Sequence, residues 1–318
     1  MTAESMESAE IPAQLRPAMQ ALASGSVALA GLIRRAATDP RAPARLEREA
    51  AAAFTRALPD AGLRWLDMGN GPAGLDPQGG FALALTPLDA SANIGIELAT
   101  GTLFSLHAAA DTATESLLRP PAEQLAAGYV IHGPRCMMMV SFGDGVQHYL
   151  LDPDTRVFRL VNRRLRMPKC AFEFAIDVAH YRHWPRPVRA YIDDCLAGSD
   201  GPRKKNFAMR WLASLVAEAH RILMHGGVFL QPGGDARNAA SRLRLVHDCA
   251  PIALLIEAAG GSATDLCEPV LGLRPAGLDQ RIPFAFGSTE KVARIAAYHD
   301  LPEPEVSALF GHRGLFRA

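Results

Sequence analysis

The segment Thr86-Pro-Leu-Asp-Ala-Ser-Ala-Asn93 follows directly on a short apolar run from Phe81 to Leu85. A run of this length that stops at a Thr-Pro step predicts a buried strand that delivers a polar loop to a site. Taken alone, a Pro-Leu-Asp sequence is typical of a solvated turn, so the surrounding chain must decide its meaning.

On either side of this segment the sequence predicts further helices and strands. Residues 13–37 have helical periodicity, and a second helix is predicted to end near Leu58. After the segment, Ile94 to Leu106 predicts a strand pair or one long strand, and Gly143-Asp-Gly145 predicts the turn of a hairpin. From Met167-Pro168 onward strand-like and helix-like pieces alternate, with helices predicted at 185–197, 208–225 and 250–259. This alternation predicts an α/β fold.

Composition excludes several classes of partner. The 33 basic residues balance the 33 acidic ones, so no basic surface argues for nucleic acid. The longest apolar runs are too short to span a bilayer, and no apolar signal segment opens the chain. The five cysteines have no paired spacing, which is typical of free thiols in a reducing compartment. We therefore expect a cytoplasmic protein with no nucleic-acid partner and no membrane contact.

Four segments in the same order carry a resemblance to a known family. The segment from Thr86 to Asn93 resembles the D-P-L-D-G-S-S-N signature of class I fructose-1,6-bisphosphatases, which are metal-dependent sugar phosphatases. The stretch from Phe207 to Phe229 looks like the long helix and following strand of that family. The segments Leu243 to Gly261 and Gln280 to Ser288 are similar to its late acidic segment and its closing strand. The chain is identified on these residues as a member of that family.

The resemblance implies a fold, a reaction and an assembly. The fold would be an α/β layered sandwich of two packed domains, a metal- and phosphate-site domain at 1–167 and a sugar-binding α/β domain at 168–318. The reaction would be hydrolysis of the 1-phosphate of fructose 1,6-bisphosphate by water, assisted by Mg²⁺ or Mn²⁺. The family usually forms tetramers of paired dimers, so the resemblance implies a homo-oligomer, either a dimer or a tetramer. Its setting would be carbohydrate metabolism, in gluconeogenesis or in the Calvin cycle.

The metal site implied by the resemblance is only partly preserved. Divalent ions clustered by carboxylates neutralise the phosphate, generate a hydroxide and stabilise the leaving oxygen. Thr86 stands where the family has its first aspartate, and Asp248 replaces a late glutamate. The family's adjacent upstream glutamates are missing, although Asp67 lies near their place. The resemblance gives as metal ligands Thr86, Leu88, Asp89, Asp248 and Asp67, and as catalytic residues Asp89, Glu47 and Asp67.

The sugar-phosphate side keeps its charge better than its residue types. The substrate-binding positions are Ala90, Ser91, Ala92, Asn93, Asp177, Arg210, Trp211, Gln231 and Arg242. Arg210 matches the arginine that reaches the substrate of a neighbouring subunit in the family, and Arg242 replaces a lysine. Asp177 replaces an asparagine, while Trp211 and Gln231 replace tyrosines. Two phenolic donors to phosphate would therefore be absent.

These substitutions leave three functions open. The first is the magnesium-dependent phosphatase itself, which the retained residues Asp89, Asp248 and Arg210 favour. The second is a non-catalytic paralogue that binds sugar phosphates or regulates a partner, which the lost charge at Thr86 favours. The third is a phosphatase for another sugar phosphate, because the residues expected around the sugar have changed.

Overall fold

The computed structural model describes residues 6–7, 9–36, 42–169, 171–233 and 243–300. The helices of the described residues are α1 (Arg16–Ala36), α2 (Ala42–Ala57), α3 (Ala113–Leu117), α4 (Arg186–Leu196), α5 (Leu215–His225), α6 (Ala250–Ala258) and α7 (Thr289–His299). In these ranges no helix combines the length and the apolar character that crossing a bilayer needs.

The described strands of the first half are β1 (Leu63–Asp67), β2 (Ala73–Gly74), β3 (Phe81–Asp89), β4 (Thr100–Ala108), β5 (Ala126–His132), β6 (Cys136–Ser141), β7 (Val146–Leu151) and β8 (Phe158–Leu165). They form one sheet in the order β2-β1-β3-β4-β5-β6-β7-β8. Apart from the parallel pair β1–β3, neighbours are antiparallel. The predicted hairpin is confirmed as β6 and β7.

The described strands of the second half are β9 (Glu173–Ala175), β10 (Ala208–Met209), β11 (Val228–Gln231), β12 (Leu243–Arg244), β13 (Ser262–Thr264), β14 (Arg281–Ile282) and β15 (Phe284–Gly287). Five of them form a second sheet in the order β10-β9-β11-β15-β13, and β12 pairs with β14. Strands β10, β9 and β11 run parallel, so their carboxyl ends meet at one edge.

Side-chain alternation along the strands explains how the layers stack. In β6, Met138 packs toward α1 and α2, whereas Met137 and Met139 pack toward α5 and α6. In β11, Phe229 joins that same central cluster, whereas Val228 and Leu230 pack with α4 and α7. The layers are therefore a helix pair, the first sheet, a second helix pair, the second sheet and a third helix pair. The first sheet is covered by helices on both faces. This explains why residues Phe81 to Leu85 of β3, just before the signature segment, are all apolar.

Two predicted elements are wrong in their bounds. The segment predicted as a strand from Ile94 begins inside a 3₁₀ helix, Ser91–Ile96, and the strand starts only at Thr100. The helix predicted at 208–225 starts at Leu215, because Arg210 instead donates its backbone N–H to the carbonyl of Phe174 in the second sheet. Ser214 then caps α5 by accepting from the N–H of Ala217. Pairing in the tertiary structure has overridden helical propensity here.

Candidate active site

The signature segment leaves strand β3 through a bulge. Pairing with β4 is interrupted between Thr86 and Asp89. Two threonines of β4 fix the interrupted backbone: Thr102 donates to the carbonyl of Pro87 at 2.8 Å, and Thr100 donates to the carbonyl of Asp89. The bulge therefore holds the side chains of Thr86 and Asp89 at defined positions at the end of the sheet.

Asp89 connects the two halves of the chain. Its Oδ2 accepts from the hydroxyl of Ser214 at 2.6 Å and from the N–H of Val216 at 3.2 Å, at the start of α5. Burial raises the pKa of Asp89 to about 6, against the opposing effect of these hydrogen bonds, and the nearby charge of Asp248 adds to the rise. The carboxylates of Asp89 and Asp248 therefore share one site.

Thr86, Asp248 and Arg244 form a closed ring of hydrogen bonds. The hydroxyl of Thr86 donates to Oδ1 of Asp248 at 3.3 Å and accepts from Nη2 of Arg244 at 3.0 Å. Arg244 Nη2 also donates to Oδ1 of Asp248 at 3.4 Å, while its Nε and backbone N–H donate to Oδ2 at 3.4 and 2.8 Å. Both oxygens of Asp248 are thus bonded to a cation of the same chain.

Asp67 lies at the end of β1 and is almost completely buried. Its Oδ1 accepts from the N–H of Gly69 at 2.7 Å, and its Oδ2 lies 3.4 Å from Nε2 of His247. Burial works to raise the pKa of Asp67, but His247, the N–H of Gly69 and the charge of Arg244 together hold it below its ordinary value. The carboxylate of Asp67 therefore lies between the N–H of Gly69 and the ring of His247, close enough to Arg244 for the two charges to interact.

Two further predicted residues of this loop, Ser91 and Asn93, bond to neighbouring segments. Ser91 donates to Oε1 of Glu47 on α2 at 2.6 Å. The side-chain amide of Asn93 donates to the carbonyls of Ala99 and Leu212 at 3.1 and 3.2 Å. Glu47 therefore meets the signature loop at Ser91, and Asn93 ties that loop to the segment before α5.

The alanine at position 90 adopts a backbone conformation that favours glycine. Its φ is +54°, in the left-handed region, where a Cβ atom costs roughly 1 kcal/mol. We expect Ala90→Gly to raise the free energy of unfolding by about 1 kcal/mol. Chemical denaturation measures this. Ala92→Gly is the matched control: Ala92 lies in the 3₁₀ helix, and there a glycine should destabilise. Equal effects of the two changes would contradict the prediction.

A second group of predicted residues lies at the carboxyl edge of β9, β10 and β11. Asp177 follows β9 and accepts from Nδ1 of His180 at 2.9 Å and from the N–H of Ala179. Trp211 follows β10 and stacks on Phe229 with a ring distance of 6.0 Å. Arg210 precedes Trp211 and is largely exposed, with Nε 3.8 Å from Glu173.

Gln231 ends β11 and completes this edge group, whereas the predicted residue Arg242 lies outside the described residues. The edge group is linked to the signature loop through a short segment. Leu212 accepts from Asn93, and Ser214 donates to Asp89. Residues 212–214 therefore connect the signature loop to the edge group.

Three residues of the site were not predicted from the sequence: Ser214, Arg244 and His247. All three lie inside segments that resemble the family, so their segments could be recognised but their roles could not. In the part of the chain that the structure describes, no three His, Cys, Asp or Glu side chains are grouped so that they could hold a metal ion.

Comparisons with known proteins show which proteins this chain resembles. Residues 73–163 match the family model "Fructose-1-6-bisphosphatase, N-terminal domain", and residues 167–300 match the model of the C-terminal domain. A class 1 fructose-1,6-bisphosphatase from Paracoccus denitrificans is 56% identical, with 100% of both chains covered. One from Cereibacter sphaeroides is 50% identical, with 97% of each covered.

The fold is similar to that of a solved structure. The holo form of fructose-1,6-bisphosphatase from Leishmania major superposes with a TM-score of 0.84 at 24% identity, covering 92% of this chain and 96% of that one. At this identity the similarity shows the fold alone. The predicted α/β fold is thereby confirmed.

Proposed function

The chain belongs to the class 1 fructose-1,6-bisphosphatase family, and from this membership we propose that it hydrolyses fructose 1,6-bisphosphate at its 1-phosphate, releasing fructose 6-phosphate and phosphate. The family predicted from the four segments is confirmed. The observation that supports the reaction is the convergence of Asp89, Asp248 and Arg244 from both halves of the chain. Together they offer two carboxylates for a cation and a guanidinium for a phosphate.

The donor set fits one divalent ion and not a cluster. Asp89 and Asp248 are two carboxylates of the site whose charges interact, and the hydroxyl of Thr86 is a neutral donor bonded to Asp248. The carbonyl of Leu88 is the further donor that family membership suggests. Mg²⁺ is commonly bound by one or two carboxylates together with substrate phosphate. We propose that these four residues hold one Mg²⁺ or Mn²⁺. Such an ion would neutralise phosphate charge and activate water.

The residues of the chain itself position the reacting groups. Ser214 and the N–H of Val216 orient Asp89, and the backbone N–H of Arg244 orients Asp248. The Arg244 guanidinium binds phosphate oxygens, since its planar donors match them. We propose that the edge group of Asp177, Arg210, Trp211 and Gln231, with Arg242, contacts the sugar and its second phosphate. In this proposal the backbone of residues 90–93 faces the 1-phosphate, and Asp67 and Glu47 support the catalytic residues.

Family membership also supports a proposal for the location, the assembly and the domain division of the protein. We propose a cytoplasmic homo-oligomer, a dimer or a tetramer, in which Arg210 reaches a neighbouring subunit. Its large exposed fraction supports this role. We also propose the division into a metal- and phosphate-site domain at 1–167 and a sugar-binding domain at 168–318. The match to the N-terminal domain model ends at residue 163 and the match to the C-terminal domain model begins at residue 167, which supports this boundary.

A phosphate-release assay tests the proposed reaction. We expect fructose 1,6-bisphosphate to be hydrolysed when Mg²⁺ or Mn²⁺ is added, and chelation by EDTA to abolish the release. A panel of other sugar phosphates tests the specificity. Fructose 1,6-bisphosphate should be the preferred substrate, and a faster reaction with another sugar phosphate would assign a different phosphatase activity. No release from any of them would contradict the proposal.

One observation favours a second function, the binding of sugar phosphates without turnover. In the ring of Thr86, Asp248 and Arg244, a neutral hydroxyl and an arginine surround one of the two carboxylates. Removing a preorganised charged group commonly costs a factor of about 10²–10³ in rate. Binding of fructose 1,6-bisphosphate, measured by calorimetry in the presence of Mg²⁺, together with no phosphate release would establish this second function.

A further inference from the structure

A row of polar side chains crosses three strands of the first sheet behind the signature segment. Thr102 lies on β4, His132 ends β5 and Cys136 begins β6. His132 is the cross-strand neighbour of Cys136, and it lies diagonally across from Thr102, whose own neighbour is Val130. Val130 and Cys136 both pack in the cluster beneath α1 and α2, so the three polar side chains share that face of the sheet.

Hydrogen bonds join this row to the signature segment. The hydroxyl of Thr102 donates to the carbonyl of Pro87 at 2.8 Å, inside the bulge of β3. Nε2 of His132 lies 3.4 Å from that hydroxyl, and Nδ1 of the same ring lies 3.6 Å from the sulfur of Cys136. Thr102 has no exposed surface and His132 is 5% exposed, so protein groups must satisfy their polar atoms.

The contact with Pro87 fixes the direction of every hydrogen bond in this row. A carbonyl oxygen only accepts, so the single hydroxyl proton of Thr102 lies toward Pro87. The hydroxyl oxygen can then only accept from His132, which requires the proton of the neutral ring to be on Nε2. Nδ1 of the ring is left as an acceptor, and the thiol of Cys136 is its donor. The donors therefore run from Cys136 through His132 and Thr102 to Pro87.

Burial keeps both titratable groups of the row in the form that this direction requires. It lowers the pKa of His132 to about 4, so the ring is neutral at neutral pH. It raises the pKa of Cys136 to about 12, against the opposing charge of Arg34, so the thiol keeps its proton. One tautomer of His132 therefore satisfies both of its neighbours.

We propose that His132 is a positioning residue for the signature loop: by donating to Thr102 it keeps the threonine hydroxyl on Pro87, and so it fixes the bulge that presents Asp89. The opposite tautomer would make Nε2 an acceptor, and Nε2 would then compete with Pro87 for the one proton of Thr102. Cys136 prevents this, because its thiol supplies a donor to Nδ1. The inference rests on the proposed function for the reaction that the loop serves.

Two substitutions of His132 separate the donor to Thr102 from the rest of the ring. The amide nitrogen of glutamine can take the place of Nε2, so His132→Gln keeps a donor to Thr102. The shorter side chain in His132→Asn places its amide near the position of Nδ1 and loses that donor. We expect kcat for phosphate release to fall about tenfold in His132→Asn, as for one lost hydrogen bond, and to stay within about twofold of the wild type in His132→Gln. KM should change by less than about twofold in both, because the edge group is untouched.

His148→Asn is the matched control for this pair of variants. His148 on β7 is buried to a similar degree, and its Nε2 lies 3.2 Å from the sulfur of Met137. Its cross-strand neighbour Met139 packs toward α5 and α6, so His148 lies on the opposite face of the sheet from His132. His148→Asn should leave kcat unchanged. Thermal melting shows whether each variant is folded.

Nuclear magnetic resonance tests the position of the loop without any turnover. Nitrogen-15 correlation spectra of the histidine rings should show the proton of His132 on Nε2 in the wild type. The backbone amide signals of Leu88 and Asp89 should shift in His132→Asn and stay in place in His132→Gln. Cys136→Ala, which removes the donor to Nδ1, should shift them as well, whereas Cys136→Ser keeps a donor and should not.

Failure of this inference differs from failure of the proposed reaction. A wild-type ring of His132 with its proton on Nδ1 would overturn the inference even if His132→Asn does not fold. A wild type that releases phosphate, with the same kcat in folded His132→Asn, would overturn the inference and leave the reaction intact. A wild type that releases no phosphate, with amide shifts at Leu88 and Asp89 in His132→Asn but not in His132→Gln, would support the positioning role and contradict the reaction.

Discussion

Asp89→Asn is expected to lower phosphate release from fructose 1,6-bisphosphate by a factor of about 10²–10³ while the protein stays folded. Asparagine has nearly the same shape, and its carbonyl oxygen can still accept from Ser214 and Val216. What is lost is the charge, which is one of the two negative charges available to a divalent ion. The measurement is steady-state phosphate release with saturating Mg²⁺.

The same variant should gain stability when no divalent cation is present. Burial raises the pKa of Asp89 from 3.8 to about 6. A folded-state pKa above the ordinary value means that ionisation opposes folding, and this penalty grows as pH rises from about 4 to 6 and is complete above 6. Asparagine does not ionise. At pH 7.5 we therefore expect Asp89→Asn to unfold at a higher temperature than the wild type, as is common for residues retained for function.

Asp76→Asn is the matched control for this prediction. Asp76 lies in an exposed turn and accepts from the N–H of Gln78, which asparagine can also do. The change should alter neither phosphate release nor the melting temperature. Turnover by Asp89→Asn within about threefold of the wild type would show that the reaction takes place elsewhere, because loss of a charged group at the reacting centre lowers the rate far more than this. Lost turnover with a lower melting temperature would point to a folding defect instead.

The parts of the site that could be predicted from the sequence are those that depend on nearby residues. The apolar run from Phe81 to Leu85 and the Asp-Gly turn after Phe142 each contain their own signal, and both predictions are confirmed. The partners of the site residues lie far away in the chain. Thr86 bonds to Arg244 across 158 positions, and Asp89 bonds to Ser214 across 125. No local pattern reports such pairs, so only the folded chain shows that an arginine lies between Thr86 and Asp248.

The helix predicted to include Arg210 also shows that pairing with distant residues cannot be predicted from a local pattern. The sequence predicts this helix over residues 208–225, but pairing of β10 with β9 holds its first residues extended. Arg210 and Trp211 therefore lie at the edge of a sheet, where they can face a ligand, instead of on a helix. The sequence predicted these two residues as substrate-binding positions, and pairing in the sheet, which no local pattern reports, decides how they are presented.

Arg221→Met is expected to lower the free energy of unfolding by about 3–5 kcal/mol, since it leaves the buried carboxylate of Glu218 without its cation. Arg221 Nη2 and Nε each lie 3.2 Å from Oε2 of Glu218, and Nη1 donates to Glu173. The side chain of Glu218 has no exposed surface. Methionine fills similar volume but neutralises neither carboxylate. Chemical denaturation at pH 7.5 measures the loss.

The loss of stability in Arg221→Met should depend on pH, and the pKa of Glu218 determines the direction of that dependence. Burial raises the pKa of Glu218 above its ordinary 4.5, although Arg221 and the N–H of Leu212 oppose the rise. Without Arg221 the pKa should rise further. A carboxyl group with a raised pKa in the folded state destabilises the protein when it is ionised, and this penalty falls as the group becomes protonated. Lowering the pH from 7.5 to 5 should therefore reduce the difference in free energy of unfolding between Arg221→Met and the wild type.

Arg294→Met is the matched control, because Arg294 pairs with Glu290 on the surface of α7, where an exposed pair contributes at most about 0.5 kcal/mol. Glu218 also accepts from Leu212 at 2.6 Å, and Leu212 in turn holds Asn93. The buried pair therefore fixes the segment that presents Ser214 to Asp89. Arg221→Met should consequently lose phosphate release even at temperatures where it is folded. A folded variant with full activity would show that the Glu218 network stabilises α5 without positioning Asp89.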